Sequence, residues 1–311
     1  MTRAKRHHYL PECYLDGFCE DGMIWTYDRE SHHYEMQTPY NTAVEGHRYS
    51  FVDIDGKKNT SIEQDFLARI DNWFRPLISK VDKGEELTAE DKNKLSLFVS
   101  YMWFRVPDYQ KQFNELADGM SKHLLRFIYS SGEEGRQYHE RISRENPAIG
   151  NISFEEMKKS VKENEYPIVP HKNEYLKSMM MMGLEIADLF RQMEWIFFHP
   201  VVGSTFICTD SPLVLDAPKD YDANSFYGVG IITPGATKLI PLSKISCMIM
   251  LDHGDKCSHY TVGQDQVRRT NLELAVNCDR YMYSSSRNLL ASLVKRTGIA
   301  NTKKGKRIRM H

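Results

Sequence analysis

The apolar positions of this chain change their period twice. Over roughly residues 1–55 they read as strand and loop. Ile24, Trp25 and Tyr27 rise in an alternating run, a polar turn spans Asp28 to Ser31, and His33, Tyr34 and Met36 rise again. That is a hairpin pattern. "SFVDIDGKKN" ends a short strand in an Asp-Gly turn at Asp55 and Gly56. From Thr60 the spacing becomes three and four, through Phe66, Ile70, Trp73, Phe74, Leu77, Ile78 and Val81. This predicts an amphipathic helix ended by Gly84, with Thr60 and Glu63 as its capping box. Thr88 opens a second helix carrying Leu95, Phe98, Val99, Met102 and Val106, which Pro107 interrupts after Arg105. The helical pattern resumes through Leu116, Leu124, Leu125 and Ile128. Residues 131–173 are polar, with one short helix after Ser153, whose partner at three residues is Glu156. A long helix runs from about Asn173 to Gln192. The period then returns to that of strands in "WIFFHPV", "STFICTD", "TKLIPLS" and "ISCMIMLD". A helix from Gln264 to Cys278, a strand "RYMYS" and a last helix from Asn288 to Lys295 complete the pattern.

Strands, then helices, then strands with late helices predict an α+β fold rather than βαβ alternation. The N- and C-terminal thirds are expected to share one mixed or antiparallel sheet, with the helical middle packed as a layer. On this reading 1–311 is a single α+β domain: a β/loop segment over 1–55, a helical region over 60–195, a β-rich region over 195–295 and a basic tail over 296–311.

Composition narrows the function classes. The 311 residues are 41% hydrophobic, 11% aromatic and 27% charged, which are globular values, and the formal net charge is −1. No global charge calls for a nucleic acid or a membrane surface. Both ends are nonetheless basic: Arg3, Lys5 and Arg6 in front, and Lys295, Arg296, Lys303, Lys304, Lys306, Arg307 and Arg309 behind. That tail is either a solvated terminus or a contact to phosphates. The six cysteines include no C-x-x-C pair, so reduced thiols and a cytoplasmic location are expected. The most apolar long stretch, Met179 to Phe198, is broken by Glu185, Asp188, Arg191, Gln192 and Glu194, so no membrane span is expected. The basic front lacks the apolar core of a signal peptide.

Phosphate-binding, dinucleotide-binding, zincin and serine-hydrolase motifs are absent. What remains is polar residues where apolar ones are expected. His7 and His8 are adjacent on an extended segment, so one points inward and the other outward. Each reads either as a core histidine with a hydrogen-bond partner or as a general acid/base or metal ligand. His32 and His33 fall near a hairpin turn. Asp210 follows the apolar run Phe206 to Cys208 and precedes Pro212, where it either caps its own turn or serves a site. Glu63 is read first as a capping residue. Arg105 lies where a kinked helix frees carbonyls, and its fork also suits an anion. Asn277 and Arg280 sit among apolar neighbours. The run Met179–Met182 reads as packing.

"RHHYLPECYLDGF", "FICTDSPL", "IPLS" and "NCDRYMYSS", in that order, resemble the DUF4238 family of uncharacterised bacterial and phage-associated proteins. His7, His8, Tyr9, Leu10, Pro11, Tyr14, Leu15 and Phe18 match the family's opening motif, and Asp210 and Pro212 match its strand-end motif. Cys208-Thr209 stands where the family has Thr-Ser. Arg105, Val106 and Pro107 also look like a family pattern. The resemblance implies that His7, His8, Arg105 and Asp210 belong together.

Two functions are therefore expected in competition. One is a metal-dependent phosphoester hydrolase or nuclease. In it His7 or His8 is the acid/base, Arg105 neutralises a phosphate, and Asp210, Glu63 and His8 hold a divalent ion. Its partner would be a nucleic acid or a phosphorylated small molecule. The other is a non-catalytic ligand-binding or interaction module, such as a sensor or adaptor in a defence or mobile-element setting.

Overall fold

The computed structural model describes residues 6–52, 55–146, 151–163, 167–218, 220–221, 229–254 and 256–299. Arg3, Lys5 and most of the basic tail lie outside them. The chain forms two compact units, one of residues up to Tyr109 together with those from Leu176 onward, the other Gln110–Tyr175.

In the first unit β1 (Arg6–His8) leads into a short helix α1 (Glu12–Leu15). The predicted hairpin is β2 (Ile24–Asp28) with β3 (His33–Gln37), and His32 takes its tight turn at φ 55°. β4 (Val44–Gly46) returns to pair with β1, and β5 (Phe51–Val52) pairs with β6 (Lys58–Asn59). A π-helical turn, Ile62–Leu67, opens α2 (Ala68–Asp82), and α3 (Ala89–Arg105) follows. Glu63 does not cap this helix. Asn59 Oδ1 accepts from the Ser61 N–H at 2.8 Å instead, and the capping box belongs to α3, between Thr88 and Asp91. Val106 is extended (ψ 146°), which separates α3 from α4 (Pro107–Ser130).

The second unit holds the body of α4, then α5 (Glu133–Glu145), α6 (Phe154–Glu163) and the start of α7 (Lys172–Arg191). Tyr129, Phe154 and Val161 form its small core. His139 is buried there, accepting from the Tyr129 hydroxyl and donating to the Ile152 carbonyl, both at 2.9 Å. The Ser153–Glu156 capping box is present.

The remaining strands are β7 (Met193–Pro200), β8 (Cys208–Thr209), β9 (Val214–Asp216), β10 (Thr237–Ser243), β11 (Ser246–His253), β12 (Cys257–Val262) and β13 (Tyr281–Ser284), with helices α8 (Gln264–Val276) and α9 (Arg287–Thr297). Five of these strands form a sheet in the order β12-β7-β11-β10-β9. It is mixed, because β12 runs parallel to β7. The other sheet has the order β3-β2-β13-β8 and is antiparallel, so strands from both ends of the chain share it. The fold is α+β.

The four-stranded sheet sorts its side chains by alternation. Tyr27 and Met282 are paired and share one face. They pack into a core with Ile207, Leu274 of α8, and Leu290 and Leu293 of α9. Thr26 pairs with Tyr283, and Asp28 with Tyr281, on the opposite face. That second face is polar, and it carries the site.

Candidate binding cleft

A cleft of about 410 Å³ opens on this polar face. Its floor is Thr26 from β2 with Tyr281 and Tyr283 from β13. Its walls come from Tyr9, the segment Asn41 to Glu45, Asp210, and Asp279 with Arg280. The volume is that of a small-molecule site.

The opening motif builds one wall, residue by residue. Arg6 donates to the Tyr40 carbonyl and to Asn41 Oδ1, both at 3.0 Å, and lies over the Tyr40 ring. His7 is 2% exposed; its Nδ1 accepts from the Tyr49 N–H at 2.9 Å, and its ring stacks on Tyr49. His8 donates to the Tyr40 carbonyl at 3.2 Å. Burial lowers its affinity for a proton, and Glu12 at 3.8 Å opposes that. Tyr9 then turns its hydroxyl onto that of Tyr283 at 3.1 Å. Neither histidine of the pair faces water: His7 is buried and the His8 side chain is only 12% exposed. The member of the motif that lines the cleft is Tyr9. Ala43 and His47, both at φ 56°, bracket β4 in the left-handed region; such backbone costs about 1–3 kcal/mol per residue and clusters at sites.

Asp210 is 4% exposed and lines the cleft, yet its oxygens are committed. Oδ1 accepts from the Asp279 N–H at 2.9 Å. Oδ2 accepts from those of Arg280 at 2.7 Å and Tyr281 at 2.9 Å. Burial pushes its carboxyl up to about 7, while the three N–H donors pull it down. All three partners are donors, so the geometry serves the ionised form. Asp210 thus ties the start of β13 to the end of β8.

Arg280 is fastened as well. Its Nε and Nη2 grip Asp28 at 2.9 and 2.7 Å, its Nη1 reaches Glu30 at 2.8 Å, and its guanidinium lies over the Tyr281 ring. Its hydrogen bonds hold Asp28 at about 2, although burial alone would raise it. Two groups keep spare capacity. Thr26 Oγ1 is buried with no hydrogen-bond partner among the described residues. The Asp279 carboxylate makes no hydrogen bond or ion pair among them either.

Arg105 belongs to a different cluster. It is 1% exposed and forms a bidentate pair with Asp71 of α2, at 2.7 and 3.1 Å. The carbonyl freed where α3 ends is its own, and Arg48 Nε fills it at 2.9 Å. Glu63 faces the same guanidinium; its Oε2 is buried without a partner among the described residues, and burial pushes its carboxyl up to about 7 against the pull of Arg105. Burial also pushes Asp71 up, opposed by Arg105 and more weakly by His8.

The expected metal trio is therefore not assembled. Asp210 serves the 279–281 backbone, while Glu63 and His8 face the Asp71–Arg105 pair. Among the described residues no three His, Cys, Asp or Glu side chains are grouped to hold an ion. The six cysteines are free thiols, and Asn277 closes α8 by donating to the Glu273 carbonyl. No helix among the described residues is long and apolar enough to cross a membrane.

Fold and site together define an α+β protein with a polar cleft on one face of a sheet shared by both ends of the chain. It belongs to the family described as a protein of unknown function, DUF4238, whose family model matches residues 6–288. No curated protein and no solved structure matches it.

Proposed function

We propose that the protein is a ligand-binding module whose cleft takes a small polar molecule without turning it over. The observation that carries this reading is the buried, unpartnered Thr26 Oγ1 on the floor of a cleft of about 410 Å³. A buried hydroxyl without a partner costs about 1–3 kcal/mol, and a bound ligand removes that cost. The walls support the reading. Asp210 holds the backbone of Arg280, Asp28 and Glu30 hold its guanidinium, and Tyr9 pairs with Tyr283, so the lining is preorganised, which lowers the entropy lost on binding.

The phosphoester-hydrolase alternative has less support. A metal route needs converging carboxylates and imidazoles, and these donors lie in separate clusters. A phosphate in the cleft would face Asp210 and Asp279, beside a guanidinium already held by Asp28 and Glu30.

The test is a thermal-shift screen of a chemically diverse metabolite set on the full chain, repeated on Tyr281→Ala. At a hundredfold excess over Kd a ligand adds about 2.7 kcal/mol, a rise of several degrees in Tm. At least one compound should shift the wild type and fail to shift the variant. Hits that shift both equally contradict the reading.

A further inference from the structure

The groups that line the cleft and remain uncommitted favour one sign of charge. Its charged lining is Asp210, Asp279, Glu45 and Arg280. Glu45 holds Arg48 at 2.5 Å. Arg280 is outnumbered by its own partners, Asp28 and Glu30. Asp210 is spent on three backbone N–H groups. What is left over is the half-buried Asp279 carboxylate, an acceptor and an anion. Beside it stand two uncommitted hydroxyls, Thr26 Oγ1 and that of Tyr281, which has no hydrogen bond among the described residues; each can accept as well as donate. The Tyr9–Tyr283 hydroxyl pair uses one proton between its two oxygens. The phenol rings of Tyr9, Tyr281 and Tyr283 line the same cleft, and the Tyr281 face already carries a cation, the Arg280 guanidinium.

We infer that the ligand is a small organic cation, a protonated amine whose N–H donors meet Asp279, Thr26 and the tyrosine hydroxyls. This rests on the reading of the cleft as a ligand site and adds the chemical class. An amine supplies donors, which the acceptor-only Asp279 carboxylate needs and which the Thr26 and Tyr281 hydroxyls can accept. It also supplies the positive charge that the lining lacks once Arg280 is discounted. An anion supplies neither and must approach two carboxylates.

Isothermal titration of the full chain with putrescine, spermidine and agmatine, against inorganic phosphate and AMP, decides the class. At least one amine should bind with one-to-one saturation and with affinity falling as salt rises. Asp279→Asn should weaken that binding at least tenfold, and Asp279→Glu should retain most of it. Because the Asp279 carboxylate has no partner among the described residues, Asp279→Asn should leave the Tm of the free protein within a degree or two. Binding of phosphate or AMP in place of every amine overturns the cation class and leaves the cleft reading standing. Amine binding indifferent to Asp279→Asn and Tyr281→Phe places the amine elsewhere and overturns the inference. Silence from both series also overturns it, and the metabolite screen then judges the cleft reading independently.

Discussion

At the scale of single residues, the two carboxyls that the sequence marks for chemistry have opposite environments. Asp210 is saturated with donors, and Glu63 is starved of them. Asp210→Ala leaves three backbone N–H groups without their acceptor, so unfolding in urea should show a loss of about 3 kcal/mol or more. A catalytic Asp210 free of structural duty would leave the melting temperature unchanged, and that result would contradict its role here. Glu63 carries a pH signature. Its carboxyl stands at about 7 against an ordinary 4.5, so the folded chain binds this proton more tightly than the unfolded chain. The resulting stability is complete below about pH 4.5 and is lost as pH rises through about 7, a swing of about 3 kcal/mol. Glu63→Gln should remove that swing, read as the difference in unfolding free energy between wild type and variant at pH 4.5 and pH 8. The variant should be the more stable at pH 8. An identical pH profile for the two proteins would place Glu63 in water.

Among the elements, the strand β13 shows best how sequence became site. "YMYS" puts Met282 into the core and Tyr281 and Tyr283 into the cleft by simple alternation. The hairpin β2–β3, the break at Val106, the long helices and the joining of both chain ends in one sheet were all legible from period and punctuation. The helix α5 was not, because "EEGRQYHERISRE" buries only Gly135 and His139 and has no apolar stripe to read. The run Met179–Met182 was half legible: Met179 is core, whereas Met181 and Met182 are exposed. Asp71, the partner of Arg105, was missed because a charged residue beside Ile70 on an amphipathic helix normally faces water. Its clue was a fully charged Arg105 on the apolar stripe of the next helix. Truncating Asp71 to Ala leaves that guanidinium buried and unpaired, and should cost about 3–5 kcal/mol in urea unfolding. The crossing of α3 and α7 gives a second element-level test. A Cβ on Gly183 would lie 2.5 Å from the Tyr101 ring, and the Ser100 hydroxyl already donates to the Gly183 carbonyl at 2.7 Å. Gly183→Ala should therefore lower stability by about 1–3 kcal/mol, although alanine is the better helix former. A neutral or stabilising result would mean that the two helices stand further apart.

Across the whole molecule, the candidate site was legible only in pieces. The opening motif was marked as diagnostic, and it is, but as masonry. Arg6 and His8 hold the Tyr40 carbonyl next to the cleft's wall, His7 accepts from the Tyr49 N–H, and of the four Tyr9 alone lines the cleft. Thr26 left no mark in the sequence, and Asp279 and Tyr281 stood unremarked inside the run "NCDRYMYSS", because a threonine, an aspartate and a tyrosine among strands are ordinary until the pairing register brings them together. This register builds the cleft, and the proposed role of the cleft is to bind a small ligand. A crystal structure of the protein soaked with the strongest compound from the thermal-shift screen tests it most directly. The compound should lie against Thr26, Tyr281 and Tyr9, with a hydrogen bond to Thr26 Oγ1. The compound ordered at another surface, with Thr26 Oγ1 still unpartnered, would contradict it.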